Sequence, residues 1–275
     1  MYHGRGIERG IVRSNQEIAP GHRVLQIELC GEFGGALPGQ FVMIRQEECE
    51  EPLLARPFSI CSLDEESDTV KIELLYRIVG KGTALMAALK NGDTLSVMGP
   101  LGRGFDSAGD ARKIVLVAGG VGVAPLIYYA EFTRRMEDEH REIILYLGAR
   151  NDELLVGLDR LEGLCDEVKI ATDDGSSGFK GTVSELFARD LDSCRGSGAV
   201  VKICGPRAMM SSLAKLMSNS GLHCQVSLEE RMACGIGVCL GCAVRVRSDE
   251  ATPRYLRVCK EGPVFDMGEI EWHDS

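Results

Sequence analysis

Ile114-Val-Leu-Val-Ala-Gly-Gly-Val-Gly-Val-Ala-Pro125 decides the fold. The unbroken apolar run 114–118 reads as a strand buried on both faces, the mark of a parallel sheet, and a glycine turn then leads into helical spacing over 123–139. That order puts free N–H groups and a helix dipole where a dinucleotide's pyrophosphate docks, which makes Gly119, Gly120, Gly122 and Pro125 candidate binding positions. Pro125 replaces the third Gly of the usual fingerprint, and Pro suits a first helical turn because its missing N–H costs nothing there. Alone, the loop is equally a tight strand-to-helix turn. The strand theme returns at 142–147 and 199–204, and a helix over 208–218 stops at Gly221. Cys204-Gly205-Pro206 ends the last strand just before that helix. Ligands in open α/β sheets bind outside the carboxyl ends of strands, so both loops face one crevice, and Cys204 is either a packing residue or part of a nicotinamide pocket.

Upstream, residues 1 to about 106 read as antiparallel β, with short alternating runs between Gly, Pro and acidic turns. Val70, Ile72, Leu74, Tyr76 and Ile78 share one face of a strand and Lys71, Glu73 and Arg77 the other; Leu25, Ile27 and Leu29 repeat the pattern. Several such strands predict a small barrel. Within it Arg56-Pro-Phe-Ser59 and Gly80-Lys-Gly82-Thr83 stand out. Thr83 is placed to cap a helix over 84–90, so the amides of Gly82 and Thr83 suit a phosphate and Arg56 a diphosphate clamp. A surface ion pair for Arg56 and a hairpin turn for the glycines are the plainer alternatives.

Downstream, Cys234-Gly-Ile-Gly-Val-Cys239-Leu-Gly-Cys242 with Cys259 has the plant-type spacing of a 2Fe-2S cluster, Cys-x4-Cys-x2-Cys and a remote fourth. Structural zinc prefers two separated cysteine pairs, which this crowding of three thiols on one loop does not offer. The 275 residues, 44% of them hydrophobic, suffice for two domains and a small third. A formal charge of −10 argues against nucleic acid as partner. No apolar run reaches membrane-spanning length, no signal-peptide core follows Met1, and eleven cysteines is an odd number, so a reducing cytoplasm is expected, with no membrane. Most of the other cysteines (Cys30, Cys49, Cys61, Cys165, Cys194, Cys204 and Cys224) read as small buried apolar residues.

Together these segments resemble the ferredoxin-NADP reductase superfamily: a flavin barrel marked Arg-x-x-Ser, then a nicotinamide domain marked by the glycine loop and Cys-Gly-Pro. Ser227-Leu-Glu-Glu-Arg-Met-Ala-Cys234 and the cysteine loop, with Val258-Cys-Lys-Glu-Gly-Pro-Val-Phe265, narrow the resemblance to electron-transfer subunits of NAD-dependent dihydroorotate dehydrogenases of the class 1B type. It runs from about Ile11 to Ile270. It implies an FAD barrel over 1–106, a Rossmann-like NAD domain over 107–225 and a 2Fe-2S subdomain over 226–275. It implies FAD held by Arg56, Pro57, Phe58 and Ser59, by Leu75, Tyr76 and Arg77, and by Gly82 and Thr83, with Ser59 near the flavin's reactive edge and Arg56 on its diphosphate. It implies NAD at Gly119, Gly120, Gly122, Pro125, Cys204, Gly205 and Pro206, and the cluster on Cys234, Cys239, Cys242 and Cys259. No side chain need act as acid or base.

The implied partner is an FMN-containing dihydroorotate dehydrogenase catalytic subunit, two of each chain forming a heterotetramer, in pyrimidine biosynthesis. The mixed run Ala149-Arg-Asn-Asp-Glu153 favours NAD over NADP, since acids near a ribose disfavour a 2′-phosphate. The alternative is the reductase subunit of a sulfide dehydrogenase or bifurcating transhydrogenase passing electrons to ferredoxin. The four-thiol set favours the first reading, because the bifurcating relatives tend to carry Asp in place of one thiolate. The residues before Ile11 read as an extension, and 248–254 as a polar loop, with no role in either case.

Overall fold

The computed structural model describes residues 6–30, 33–46, 53–65, 69–136, 141–248 and 252–272. Cys49, the expected end of the helix at 137–139, and 249–251 of the polar loop lie outside the described residues.

The first unit is a seven-stranded antiparallel sheet. Its strands are β1 (Gly6–Ala19), β2 (His22–Cys30), β3 (Phe41–Gln46), β4 (Arg56–Ser59), β5 (Ser62–Glu65), β6 (Thr69–Arg77) and β7 (Thr94–Leu101), in spatial order β4-β3-β7-β1-β2-β6-β5. Ile60 and Cys61, both buried, join β4 at one edge to β5 at the other, so the sheet closes on itself as the expected barrel. Alternation decides the lining: Leu25, Ile27 and Leu29 face inward against Val70, Ile72, Leu74 and Tyr76. Two expectations change. Ile78 falls beyond the end of β6 and is exposed, because the strand stops at Arg77. The segment before Ile11 is not an extension from Gly6 onward, since it opens β1 and pairs with β7 from Gly6↔Gly99 to Ile11↔Thr94.

The second unit is a sheet in the order β11-β10-β9-β8-β12-β13-β16. It contains β8 (Lys113–Gly119), β9 (Glu142–Ala149), β10 (Glu167–Thr172), β11 (Phe179–Lys180), β12 (Val200–Cys204), β13 (His223–Ser227) and β16 (Val264–Asp266). All pairings are parallel except β13–β16. Its helices are α2 (Ala124–Met136), α3 (Leu158–Glu162), α4 (Val183–Arg195) and α5 (Arg207–Met217); α1 (Lys81–Ala87) belongs to the barrel. From β8 the chain moves outward through β9 and β10 and then returns to β12 on the other side of β8. Strand order reverses between β8 and β12, which is where an open α/β sheet leaves a crevice. The helix expected from 123 begins as a 3-10 turn, Gly120–Val123, before α2.

The last stretch is less separate than its sequence suggests. The boundary expected at 225/226 falls inside β13, and after the hairpin β14 (Ala243–Val246) with β15 (Arg254–Arg257) the chain returns as β16 to complete the second sheet. Gln225, paired in register with Lys202, ties this sheet to the barrel's exit. The Lys202 ammonium, 0% exposed, donates to Gln225 Oε1 at 2.7 Å and to the Asp106 carbonyl at 3.0 Å. Gln225 also donates to the Asp106 carboxylate at 2.8 Å and accepts the Asp106 N–H at 3.0 Å. Gln225→Leu leaves the buried ammonium short of an acceptor. It is expected to lower the urea unfolding free energy by about 2–3 kcal/mol, and an unchanged midpoint would show that the junction contributes nothing.

Candidate functional site

The two loops of the crevice touch. A Cβ on Gly122 would lie 2.5 Å from the Cys204 carbonyl oxygen and 2.6 Å from the Gly205 Cα, and one on Gly119 would lie 2.8 Å from the Pro206 ring. The Gly119–Pro125 and Cys204–Pro206 segments are thus brought together as expected, but Gly122 is required by this backbone contact and does not open space for a ligand. Gly120 does: it sits at φ +53 with nothing within 4 Å of a built Cβ. Cys204 is half-buried and burial pushes its thiol up to about 12, although an interaction with Ser227 opposes this, so the sulfur stays a neutral thiol at pH 7. Arg150, Asp152 and Glu153 are exposed beyond the end of β9, where the Asp152 N–H donates to Ser176 Oγ at 2.8 Å.

In the barrel, Arg56 and Gly82 line one small open pocket with Ile44, Arg45, Gln46, Leu54 and Met86. Two guanidinium groups in the lining suit an anion. Gln46 Nε2 donates to the Leu85 carbonyl at 3.1 Å, whereas its Oε1 is buried with no partner among the described residues, which fits an acceptor satisfied by a bound molecule. Thr83 is not the cap it was expected to be. The helix starts three residues earlier, at Lys81, and Thr83 Oγ1 accepts the N–H groups of Val79 at 2.9 Å and Gly80 at 3.2 Å and donates to the Gly80 carbonyl at 3.1 Å. Its hydroxyl shapes the turn, and the first intrahelical bond, Ala84 N–H to the Gly80 carbonyl at 2.9 Å, comes after the amides of Gly82 and Thr83.

Pro57, Phe58 and Ser59 are half-buried on β4, where Pro57 pairs with Met43 and Ser59 with Phe41. Phe58 meets Tyr76 edge-on at 5.9 Å. Tyr76 turns its ring into the barrel core and donates to Asn15 Oδ1 at 3.0 Å, so any ligand contact at 75–77 falls to other atoms; Arg77 is exposed. Leu75 is packed in the same apolar cluster as Val123 and Ala124, which sets the end of β6 beside the glycine loop.

Backbone contacts link the four cysteines two by two, the Cys239 N–H with Cys234 Sγ and the Cys259 N–H with Cys242 Sγ. Among the described residues no three His, Cys, Asp or Glu side chains converge as ligands of a single ion. Three of the thiols stay on one loop with the fourth remote, the plant-type arrangement of a 2Fe-2S cluster. The loop has the backbone such a group needs. Gly235 and Gly237 take φ +70 and +83, Leu240 takes φ 61, and the N–H groups of Val238 and Cys239 approach Cys234 Sγ at 3.4 and 3.5 Å. Against the opposing effect of burial, these amides and that of Ile236 pull the Cys234 thiol down to about 6. On the other pair, the Cys259 N–H donates to Cys242 Sγ at 3.4 Å. A Cβ on Gly235 would lie 2.6 Å from Met43, the β3 residue opposite Pro57, so the thiol loop rests on the strand beside Arg56–Ser59. The flanking side chains point to solvent: Ile236 is 53% exposed, Val238 74% and Leu240 63%.

Sequence reasoning missed Gln46 and Asn151, whose buried amide oxygens lack protein partners; a lone amide carries no pattern that marks it.

Three family models match in succession. An oxidoreductase FAD-binding domain covers residues 10–105, an oxidoreductase NAD-binding domain 116–215, and the iron-sulfur cluster binding domain of dihydroorotate dehydrogenase B 229–271. The electron transfer subunit of dihydroorotate dehydrogenase B (NAD(+)) from Desulforamulus reducens is 40% identical over 237 residues, covering 86% of this chain and 87% of that protein. The subunit of the same name from Bacillus caldolyticus is 36% identical over 270 residues, 96% and 98% of the two chains. Among solved structures, an NADH-dependent reduced ferredoxin-NADP oxidoreductase superposes with a TM-score of 0.79 at 27% identity, over 96% of this chain and 90% of that one. A ferredoxin reductase of carbazole 1,9a-dioxygenase, at TM-score 0.68 and 21% identity over 79% and 66%, shares the fold.

Gly122→Ala drives a Cβ into the Cys204 carbonyl and is expected to part the two loops, weakening NADH binding roughly tenfold, about 1.4 kcal/mol. Gly120→Ala adds backbone strain of about 1 kcal/mol but meets open space, so it should weaken binding less. Fluorescence titration with NADH ranks the two, and equal affinities would refute the packing role of Gly122.

Proposed function

The chain belongs to the family of dihydroorotate dehydrogenase B electron-transfer subunits, and from that premise we propose that it takes electrons from a dihydroorotate-oxidising partner at its thiol loop and delivers them to NAD at the β8–β12 crevice. The observation that carries this is the seating of the Cys234–Cys242 loop on Met43, directly across from Pro57, because it sets the one-electron site against the flavin strand. The ferredoxin-directed alternative is not favoured. The relatives named for dihydroorotate dehydrogenase B reach 40% identity and share the C-terminal domain, against 27% for the ferredoxin-NADP oxidoreductase structure.

FAD supplies the conversion between hydride and single-electron transfer. The chain's own residues do the placing. Arg56, with Arg45 beside it in the pocket, neutralises the diphosphate, and Gly82 and Thr83 offer backbone amides to it. Pro57, Phe58 and Ser59 on one strand and Leu75 to Arg77 on another form the remaining flavin contacts, with the Ser59 hydroxyl at the reactive edge. Cys234, Cys239, Cys242 and Cys259 hold the 2Fe-2S cluster, and the loop amides around it neutralise thiolate charge. Gly119, Gly120 and Gly122 offer the loop backbone to the dinucleotide's phosphates, with Pro125 presetting the helix start behind them, while Cys204, Gly205 and Pro206 border the nicotinamide. Asp152 and Glu153 select the unphosphorylated ribose. No acid or base is needed, in keeping with a neutral Cys204 thiol.

In this reading residues 1–106, 107–225 and 226–275 carry the flavin, nicotinamide and cluster functions, although β13 and β16 knit the last two together. The partner is an FMN-containing catalytic subunit, two of each chain assemble, and the complex works in the cytoplasm. Among the described residues no helix is long and apolar enough to cross a membrane. Ile236, Val238 and Leu240 form the docking face, since their exposure around the thiols is what a partner would cover.

The purified chain should be brown-yellow, with about one FAD and two irons. Cys239→Ser should lose most of the iron and keep the flavin; stoichiometric zinc in a colourless protein would falsify the assignment. Co-expressed with its partner, the chain should co-purify with it and support reduction of NAD by dihydroorotate, whereas reduction of ferredoxin or polysulfide alone would overturn the substrate. Val238→Asp should keep both cofactors and abolish co-purification, because a buried carboxylate without a partner costs several kcal/mol at an interface.

A further inference from the structure

Arg257, the last residue of β15, bridges the two halves of the thiol site. Its Nη1 donates to the Gly237 carbonyl at 2.8 Å, in the segment between Cys234 and Cys239. Its Nε donates to Glu261 Oε2 at 3.0 Å and its Nη2 to Glu261 Oε1, while the backbone N–H of Arg257 also donates to Oε2 at 2.7 Å. Gly237 is confined from the other side as well, since a Cβ there would lie 2.7 Å from the Lys260 side chain. The planar fork thus joins the loop of the first thiol pair to the Arg257–Glu261 turn that carries Cys259. Gly237 stands two residues before Cys239 and Arg257 two before Cys259, so the guanidinium lies between the segments that carry these two thiols.

We propose that Arg257 is a positioning residue for the iron-sulfur site and that the Arg257–Glu261 pair sets the site's reduction potential. This rests on the reading of the four cysteines as cluster ligands. Reduction adds one negative charge at the site. A guanidinium beside it stabilises the reduced form and raises the potential, whereas the Glu261 carboxylate opposes it. The two side chains are more than a quarter exposed, so solvent and salt damp each effect without changing its sign. Arg257 makes and breaks no bond: one electron arrives from the partner and the same electron leaves toward the flavin.

The test is an EPR-monitored redox titration of the purified full-length holoprotein, with dithionite as reductant, for the unmodified chain, R257Q, R257K and E261Q, alongside iron retention during incubation with EDTA. R257Q should shift the midpoint to lower potential and E261Q to higher potential. R257K keeps the charge but not the fork, so its midpoint should stay near the unmodified value while iron is lost faster. If R257Q does not assemble the cluster yet keeps its flavin, the positioning role stands and the sign of the E261Q shift decides the electrostatic one. Shifts of the same sign in R257Q and E261Q, or an unmoved midpoint in E261Q, overturn the proposal, as does unchanged iron retention in both Arg257 variants. Absence of any iron-sulfur signal from the unmodified chain would instead overturn the cluster assignment beneath it.

Discussion

A single ammonium group holds the functional parts in register. Removing the Lys202 charge from water costs several kcal/mol unless acceptors meet it, and here the Asp106 carbonyl and Gln225 do so. The rings of Phe105 and Tyr129, 5.9 and 5.4 Å away and edge-to-face with each other, add a favourable aromatic contact. Asp106 belongs to the segment leaving the barrel, Lys202 lies two residues before Cys204, and Gln225 two before Ser227. Fixing these three groups fixes the crevice relative to the barrel. Hydride transfer tolerates little displacement, so a rigid joint serves it directly.

Further contacts support the same joint. Arg160 on α3 reaches Glu73 on β6 and Glu131 on α2, both at 2.6 Å, and the Tyr128 hydroxyl donates to the Ala36 carbonyl at 2.6 Å. The C-terminal segment wedges in from a third side. A Cβ on Gly39 would meet Val264, and one on Gly102 would meet Pro263, so only glycine lets β16 approach the barrel this closely. The cluster-bearing stretch is therefore anchored at both ends of its hairpin, by the barrel beneath Gly235 and by the parallel sheet at β16. A relay placed between two cofactors needs that double anchorage, since a loop tethered at one end would vary the electron's path.

Much of this was legible before any coordinates. Alternation at Leu25, Ile27, Leu29 and Val70 to Tyr76 gave the barrel lining, and the run from Ile114 with its glycine turn gave the parallel sheet. The capping box Thr182–Glu185 that starts α4 was equally readable, as a Thr three residues before a Glu, and was overlooked. Less could be read where a residue's task depends on chain far away. Gly122 reads as a ligand glycine, and its second task, packing against the Cys204 carbonyl, shows only in the fold. Thr83 looks like a helix cap, yet its hydroxyl closes the turn from inside the first turn, because the extended Gly80 precedes it.

The sequence by itself determined the order of the three units, the spacing of four thiols on a glycine loop, and the chemistry those residue types permit, because periodicity, spacing and donor type are local properties. Only the tertiary structure decided that the Cys259 amide meets the Cys242 sulfur, that the loop lies on Met43 opposite Pro57, and that Leu75 packs into the same apolar cluster as Val123. It also decided that Arg257 reaches Gly237 and that Lys202 is buried against Asp106. These contacts join residues from about fifteen to about two hundred positions apart. No local pattern encodes them, because burial and close packing are settled when the strands have paired and the barrel has closed.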